Sequence, residues 1–181
     1  KVMSHIEIAD SFVISPKFKE LAGTWNSLLV GPRGSGKTAL LRMLSREGLR
    51  AWKSDESNLF RSEINYTGVY VPSDIAWGEM IKALGNNQEN QNHIDLIAES
   101  AFLTNVLLSI ASAMQSRLTQ DAMPERHNNF QQALISQEAL EGLILHISSI
   151  WKINPKTASF KAVHQALSAR LLEIRQQSRL L

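Results

Sequence analysis

The sequence predicts an α/β fold: a parallel sheet that this chain leaves incomplete, joined to a large helical insertion or subdomain. Three observations predict it. The short apolar run Ser27-Leu28-Leu29-Val30 stops at a glycine-rich segment, as a fully buried parallel strand would. Helical spacing of apolar residues begins directly after that segment. A second strand-like stretch, residues 66–71, is then followed by another helical pattern, so strand, loop, helix, strand and helix succeed one another. Two regions follow from this: residues 1–85 hold the sheet-bearing part, and residues 86–181 are predominantly helical.

In chain order, residues 1–24 carry the apolar patches Ile6/Ile8 and Phe12-Val13-Ile14, broken by Asp10, Pro16 and Gly23. They are expected to form an irregular arm with a short strand and one helical turn. Residues 27–30 are read as the first, buried strand. Ala39, Leu40, Met43 and Leu44 lie on one stripe of the next helix, with Gly48 marking its end. Residues 53–65, rich in Ser, Asp, Glu and Asn, read as a long loop. The aromatic and β-branched content of Tyr66-Thr67-Gly68-Val69-Tyr70-Val71 makes it the second strand. Pro72 ends it, and Ser73 or Asp74 is suited to cap a helix carrying Ile75, Trp77, Ile81 and Leu84 and closed by Gly85. Residues 86–92 form a polar linker. Beyond it, Phe102, Val106, Ile110 and Met114 trace one amphipathic helix, Leu140, Leu143, Ile144 and Ile147 a second, and Phe160, Val163, Leu167, Leu171 and Ile174 a third. Pro124 and Pro155 punctuate the gaps, and no internal repeat has a fixed period.

Composition bounds the function classes. With 181 residues, 44% apolar and 20% charged, the chain is long enough to bury a sizeable core and has the make-up of a soluble globular protein. A net charge of +2 is too small to announce a nucleic-acid partner by itself. Without cysteine, disulfides, thiolate metal ligation and cysteine nucleophiles are excluded. No apolar run approaches the roughly 20 residues of a membrane span, and no signal core follows Lys1, so the expectation is a cytoplasmic protein without a membrane partner. Lys1 in place of an initiator methionine, and an apolar stripe that continues almost to Leu181, lead us to expect further sequence on both sides.

The chemistry concentrates in Gly31-Pro32-Arg33-Gly34-Ser35-Gly36-Lys37-Thr38, which matches G-x-x-x-x-G-K-[ST] at every defined position. Glycines permit backbone angles and close approaches that a Cβ would hinder, so amide N–H groups can line a polyphosphate. The helix that follows adds unpaired amides and its positive dipole end. Lys37 is expected to reach the β and γ oxygens of a nucleoside triphosphate, and Thr38 to offer its hydroxyl to Mg²⁺. The binding set is Gly31, Pro32, Arg33, Gly34, Ser35, Gly36, Lys37, Thr38 and Ala39, with Lys37 and Thr38 as the catalytic pair. Within that set Arg33 is read as a solvated side chain in preference to a phosphate contact. The loop reads phosphates and leaves the base unspecified.

Hydrolysis also needs an acidic residue at the end of a second buried strand. Ile94-Asp95-Leu96 has too few apolar residues before its acid, and Val71-Pro72-Ser73-Asp74 is interrupted by proline, so neither supplies a Walker B; Asp74 is better suited to a helix cap. Two strands are few against the usual sheet of about five. The missing strand and its acid are therefore expected after residue 181.

Residues 25–44, followed by Thr67-Gly68-Val69-Tyr70-Val71-Pro72-Ser73-Asp74-Ile75-Ala76-Trp77, resemble AAA+ ATPases related to origin-recognition and replication-initiator proteins, particularly their bacterial relatives. The likeness is to the front half of that P-loop NTPase module and covers about half the chain. The resemblance implies ATP over GTP, an arginine finger from a neighbouring subunit, a homo-oligomer or multi-subunit assembly with an effector protein, and work on nucleic acid or in a large assembly. It also implies adenine contacts near Phe12, Val13 and Ile14. The helical region 93–180 departs from a compact family member. A role in bacterial anti-phage defence follows by analogy alone.

Other signals are weaker. Arg42, Arg46 and Arg50 fall at i, i+4 and i+8, a stripe that nucleic acid could use but that a solvated helix face explains better. His5, His93, His127, His146 and His164 lack metal-ligand spacing, and no zinc site is assigned. Trp77, Trp151, Phe102 and Phe160 sit on apolar stripes and are read as core. The first reading is an ATPase whose nucleotide cycle drives or regulates an assembly. The alternatives are a nucleotide-binding scaffold or regulatory module with little turnover, and a small-molecule kinase, which the long helices fit poorly.

Overall fold

The computed structural model describes residues 3–23, 25–64, 66–72, 91–118 and 136–177. Every regular element among them is a helix: α1 (His5–Asp10), α2 (Pro16–Leu21), α3 (Lys37–Met43), α4 (Arg46–Ala51), α5 (Asp55–Glu63), α6 (Gln91–Leu118), α7 (Gln137–Ile150) and α8 (Phe160–Gln177). The described residues hold no β-strand, which corrects the α/β reading. Residues 26–32 and 66–72 run without regular secondary structure, and Leu28 and Val30 are 89% and 79% exposed where a buried strand was expected. A parallel strand is held by ladders to its neighbours and covered on both faces. A run of three apolar residues, Leu28 to Val30, supplies neither. The second segment bonds to helical parts instead: the Arg46 N–H donates to the Gly68 carbonyl at 3.1 Å, the Tyr66 hydroxyl to the Ala22 carbonyl at 3.1 Å, and the Arg117 guanidinium to the Thr67 hydroxyl.

The chain gathers into two units, one of residues 1–70 with 116–133 and the other of residues 71–115 with 134–181. In the first, short helices start where serines cap them. Ser4 and Glu7 form a reciprocal capping box on α1, Ser15 caps α2 with Pro16 at its first position, and Ser45 and Ser54 cap α4 and α5. The N-terminal arm is thus two helices in place of a strand and a turn. Residues 55–63, expected as loop, are helical because Ser54 caps them, Asp55 and Glu56 complement the dipole, and Phe60 is carried inward. Gly48 lies buried inside α4 and does not end the preceding helix, which stops at Met43, with Leu44 and Ser45 forming the break.

The core of this unit is aromatic. Phe18 meets Phe12 edge-on at 4.7 Å and stacks on Phe60 at 4.8 Å, while Trp52 closes the cluster against Phe12 at 5.2 Å. Met43 and Leu49 are buried with them, and Ala39, Leu40 and Leu44 pack against the cluster from the helix that follows the glycine-rich loop. Burial of α3 on this core fixes where that loop ends.

In the second unit α7 and α8 follow the expected apolar stripes, whereas α6 buries Ile94, Ala101, Ala111 and Ala113 in place of the expected Phe102, Val106, Ile110 and Met114. Ile144, Ile147, Phe160, Val163, Leu167 and Ile174 are buried where α7 and α8 pack together. Helix α7 ends in a Schellman arrangement: Ile153 N–H donates to the Ser148 carbonyl and Lys152 N–H to the Ser149 carbonyl, with Lys152 at φ 52°. Phe102, read as core, is 44% exposed. Within α6, residues 92–118 are long and apolar enough to cross a membrane by length and composition alone, contrary to the reading that no segment approaches such a span. Its polar side chains bond to its own backbone, the Thr104 and Ser109 hydroxyls and the Asn105 amide donating to carbonyls four residues earlier. The helix expected over residues 75–84, with Trp77 and Asp74, and the punctuating Pro124 lie outside the described residues, as does His127.

Candidate phosphate-binding loop

Residues 31–36 form an exposed turn leading into α3. Gly34 and Gly36 take φ of 86° and 79°, the left-handed region that side-chain-bearing residues rarely adopt. An added Cβ at either position would meet nothing within 4 Å, so backbone angle, and not crowding, is what requires glycine there, and the space beside the loop is open. Gly36 is the N-cap residue of α3 and gives it no side-chain cap, leaving the first-turn amides available to a ligand.

Lys37 folds back over the turn. Its Nζ donates to the Gly31 and Pro32 carbonyls at 2.6 Å each and to Ser35 Oγ at 3.2 Å. The Ser35 N–H also donates to the Pro32 carbonyl, at 3.3 Å, which tightens the loop. The ammonium is therefore fixed by backbone acceptors of the loop it serves, a position from which a cation can face polyphosphate oxygens. Thr38 is exposed on the first turn of α3, Arg33 is exposed at the tip of the turn, and Ala39 turns toward the aromatic core. The sequence-predicted set from Gly31 to Ala39 thus splits: the loop and Lys37 converge, while Ala39 anchors.

Residues proposed around the base do not converge. Phe12 is committed to the aromatic cluster, Val13 is exposed, and Ile14 lines an open hollow of about 190 Å³ with Lys19, Glu56, Phe60 and Glu63. Asp95 lies in the first turns of α6, a helix and not the end of a strand. The arginine stripe is broken by the turn at Leu44 and Ser45. Arg42 donates to the Met3 carbonyl, whereas Arg46 is buried and shares Ser116 Oγ with Arg50, at 3.2 Å from each. Three arginines evenly spaced in sequence therefore serve as structural ties, a role visible only once the helix break is known. Among the described residues, no three His, Asp or Glu side chains gather as a metal site.

Comparison with known proteins places the chain in a family. No curated protein and no solved structure matches the chain. A family model described as ORC-CDC6-like matches residues 1–181, so the likeness takes in the helical region that departed from a compact module as well as the loop. The chain belongs to the ORC-CDC6-like family, of the AAA+ origin-recognition-like kind.

Proposed function

We propose that this chain is the ATP-binding part of an AAA+ ATPase whose nucleotide cycle drives or regulates a larger assembly. The observation that carries this reading is the Lys37 ammonium, held by two loop carbonyls above a turn with two left-handed glycines, at the uncapped start of α3. The residues fit the group: amides of residues 33–38 would face the phosphates, Lys37 would meet the β and γ oxygens, and Thr38 would offer its hydroxyl to Mg²⁺. Bound Mg²⁺ supplies charge neutralisation at the phosphates. What this chain contributes is preorganisation, because the turn and Lys37 already hold their positions beside the loop.

The family supports ATP in preference to GTP, and it supports an oligomer or multi-subunit assembly and a nucleic-acid substrate as the setting of the cycle, to which the proposal adds an effector partner. A cytoplasmic location and a part in anti-phage defence belong to the same proposal. In the full-length protein, Lys37→Ala is expected to lower Mg-ATP affinity at least tenfold and to abolish turnover, read by calorimetry and phosphate release. Unchanged binding and hydrolysis in that variant would refute the site. ATP that stays bound and uncleaved in the unaltered protein would favour the scaffold reading.

A further inference from the structure

Ser35 occupies a position the loop motif leaves open, yet its side chain turns inward. Its Oγ accepts from Lys37 Nζ at 3.2 Å, and it lies 3.0 Å from where a Cβ on Gly31 would stand. A lysine ammonium has three N–H donors. Two are spent on the Gly31 and Pro32 carbonyls at 2.6 Å, and the third, longer bond goes to the serine hydroxyl. The carbonyl acceptors belong to the backbone of the turn and stay in place as long as it does. The serine bond is made by one rotatable, exposed side chain, so it is the bond an incoming anion can replace. A phosphate oxygen is also a stronger acceptor for an ammonium than a neutral hydroxyl.

We propose that the Ser35 hydroxyl is a placeholder for a phosphate oxygen: it takes the third donor of Lys37 in the empty loop and is displaced when a polyphosphate arrives, which sets the affinity of the loop. This rests on the reading of residues 31–38 as a phosphate-binding loop. Removing the hydroxyl frees the donor before binding and leaves the two carbonyl bonds in place. Ser35→Ala is therefore expected to bind Mg-ATP roughly two- to fivefold more tightly than the unaltered protein. Pyrophosphate should gain by the same factor, since the competition is for a phosphate oxygen and not for the base.

Calorimetric titration of the unaltered protein, Ser35→Ala and Ser35→Thr with Mg-ATP, pyrophosphate and adenosine tests this. Support is a gain for both phosphate ligands in Ser35→Ala, affinity returned to the original value in Ser35→Thr, and no change for adenosine. Equal or weaker phosphate binding in Ser35→Ala overturns the proposal, because the hydroxyl would then be neutral or a ligand itself. A gain that Ser35→Thr shares, or that extends to adenosine, also overturns it, since the hydroxyl would not be the cause. If the unaltered protein takes up neither ATP nor pyrophosphate, the phosphate-loop reading itself fails and the placeholder falls with it.

Discussion

Two glycines inside helices show how differently the same residue is used. A Cβ on Gly48 would lie 2.2 Å from the Arg42 carbonyl oxygen and 2.8 Å from the Met43 Cα, backbone atoms of the helix that carries the loop lysine. Neither can swing aside as a side chain could, so α4 would have to retreat from α3. Gly48→Ala is expected to destabilise the first unit toward the upper end of the roughly 1–3 kcal/mol that overpacking costs. Gly142, in the interior of α7, has nothing within 4 Å of its Cβ position. There alanine removes only the entropic cost of glycine, and Gly142→Ala should stabilise by up to about 1 kcal/mol. Denaturant melts of the two variants decide the matter, and a Gly48→Ala protein as stable as the original would mean that α3 and α4 are not in this close contact.

At the scale of elements, the first unit depends on whether short helices find a shared core. Helices of six to nine residues are too short to persist alone, and α1 to α5 hold their form by burying Phe18, Trp52, Phe60 and Met43 together. Phe18 is fully buried and meets three other rings. Phe18→Ala should cost about 3–5 kcal/mol, a large part of a small unit's stability, and should strip the near-ultraviolet signal of Trp52; a variant that keeps that signal and its melting temperature would refute the aromatic core. This dependence also explains what could be read in advance. The loop at 31–38 was legible because glycine and lysine at fixed spacing determine a local backbone shape. Helices α6, α7 and α8 were legible because Val106 and Ile110, Ile144 and Ile147, or Val163 and Leu167 repeat over several turns. Helix α5 was hidden, since Leu59 and Phe60 are its only apolar residues amid polar ones. The strands were misread because Leu28, Leu29 and Val30 have strand-like character, but a ladder needs a partner that no single segment can reveal. Arg46 was misread for a related reason: its burial depends on where a helix breaks.

At the scale of the whole molecule, the two units share a sensitivity to acid. In the first, burial, with the Arg42 guanidinium nearby, pushes His5 below the usual imidazole value of 6.5, and Glu47 opposes this only in part. In the second, burial alone lowers His164, whose Nε2 is enclosed with no hydrogen-bond partner among the described residues. A depressed histidine is neutral in the folded chain at a pH where the unfolded chain already binds a proton. Stability must then rise with pH between the depressed folded value and 6.5, and fall as pH is lowered through that window. Glu7 adds to the same trend further down: the Ser4 backbone N–H and hydroxyl hold its carboxylate below 4.5, so its share is present above that value and is lost as pH falls through the folded one. Both units should therefore melt at lower denaturant concentration at pH 5.5 than at pH 7.5. Replacing His164 with leucine should flatten that dependence for the second unit, read through Trp151 at the end of α7, while leaving the Trp52 signal of the first unit as acid-sensitive as before. A midpoint that holds constant or climbs on acidification would show that these imidazoles are solvated, and that the enclosed Nε2 has found a partner in solution.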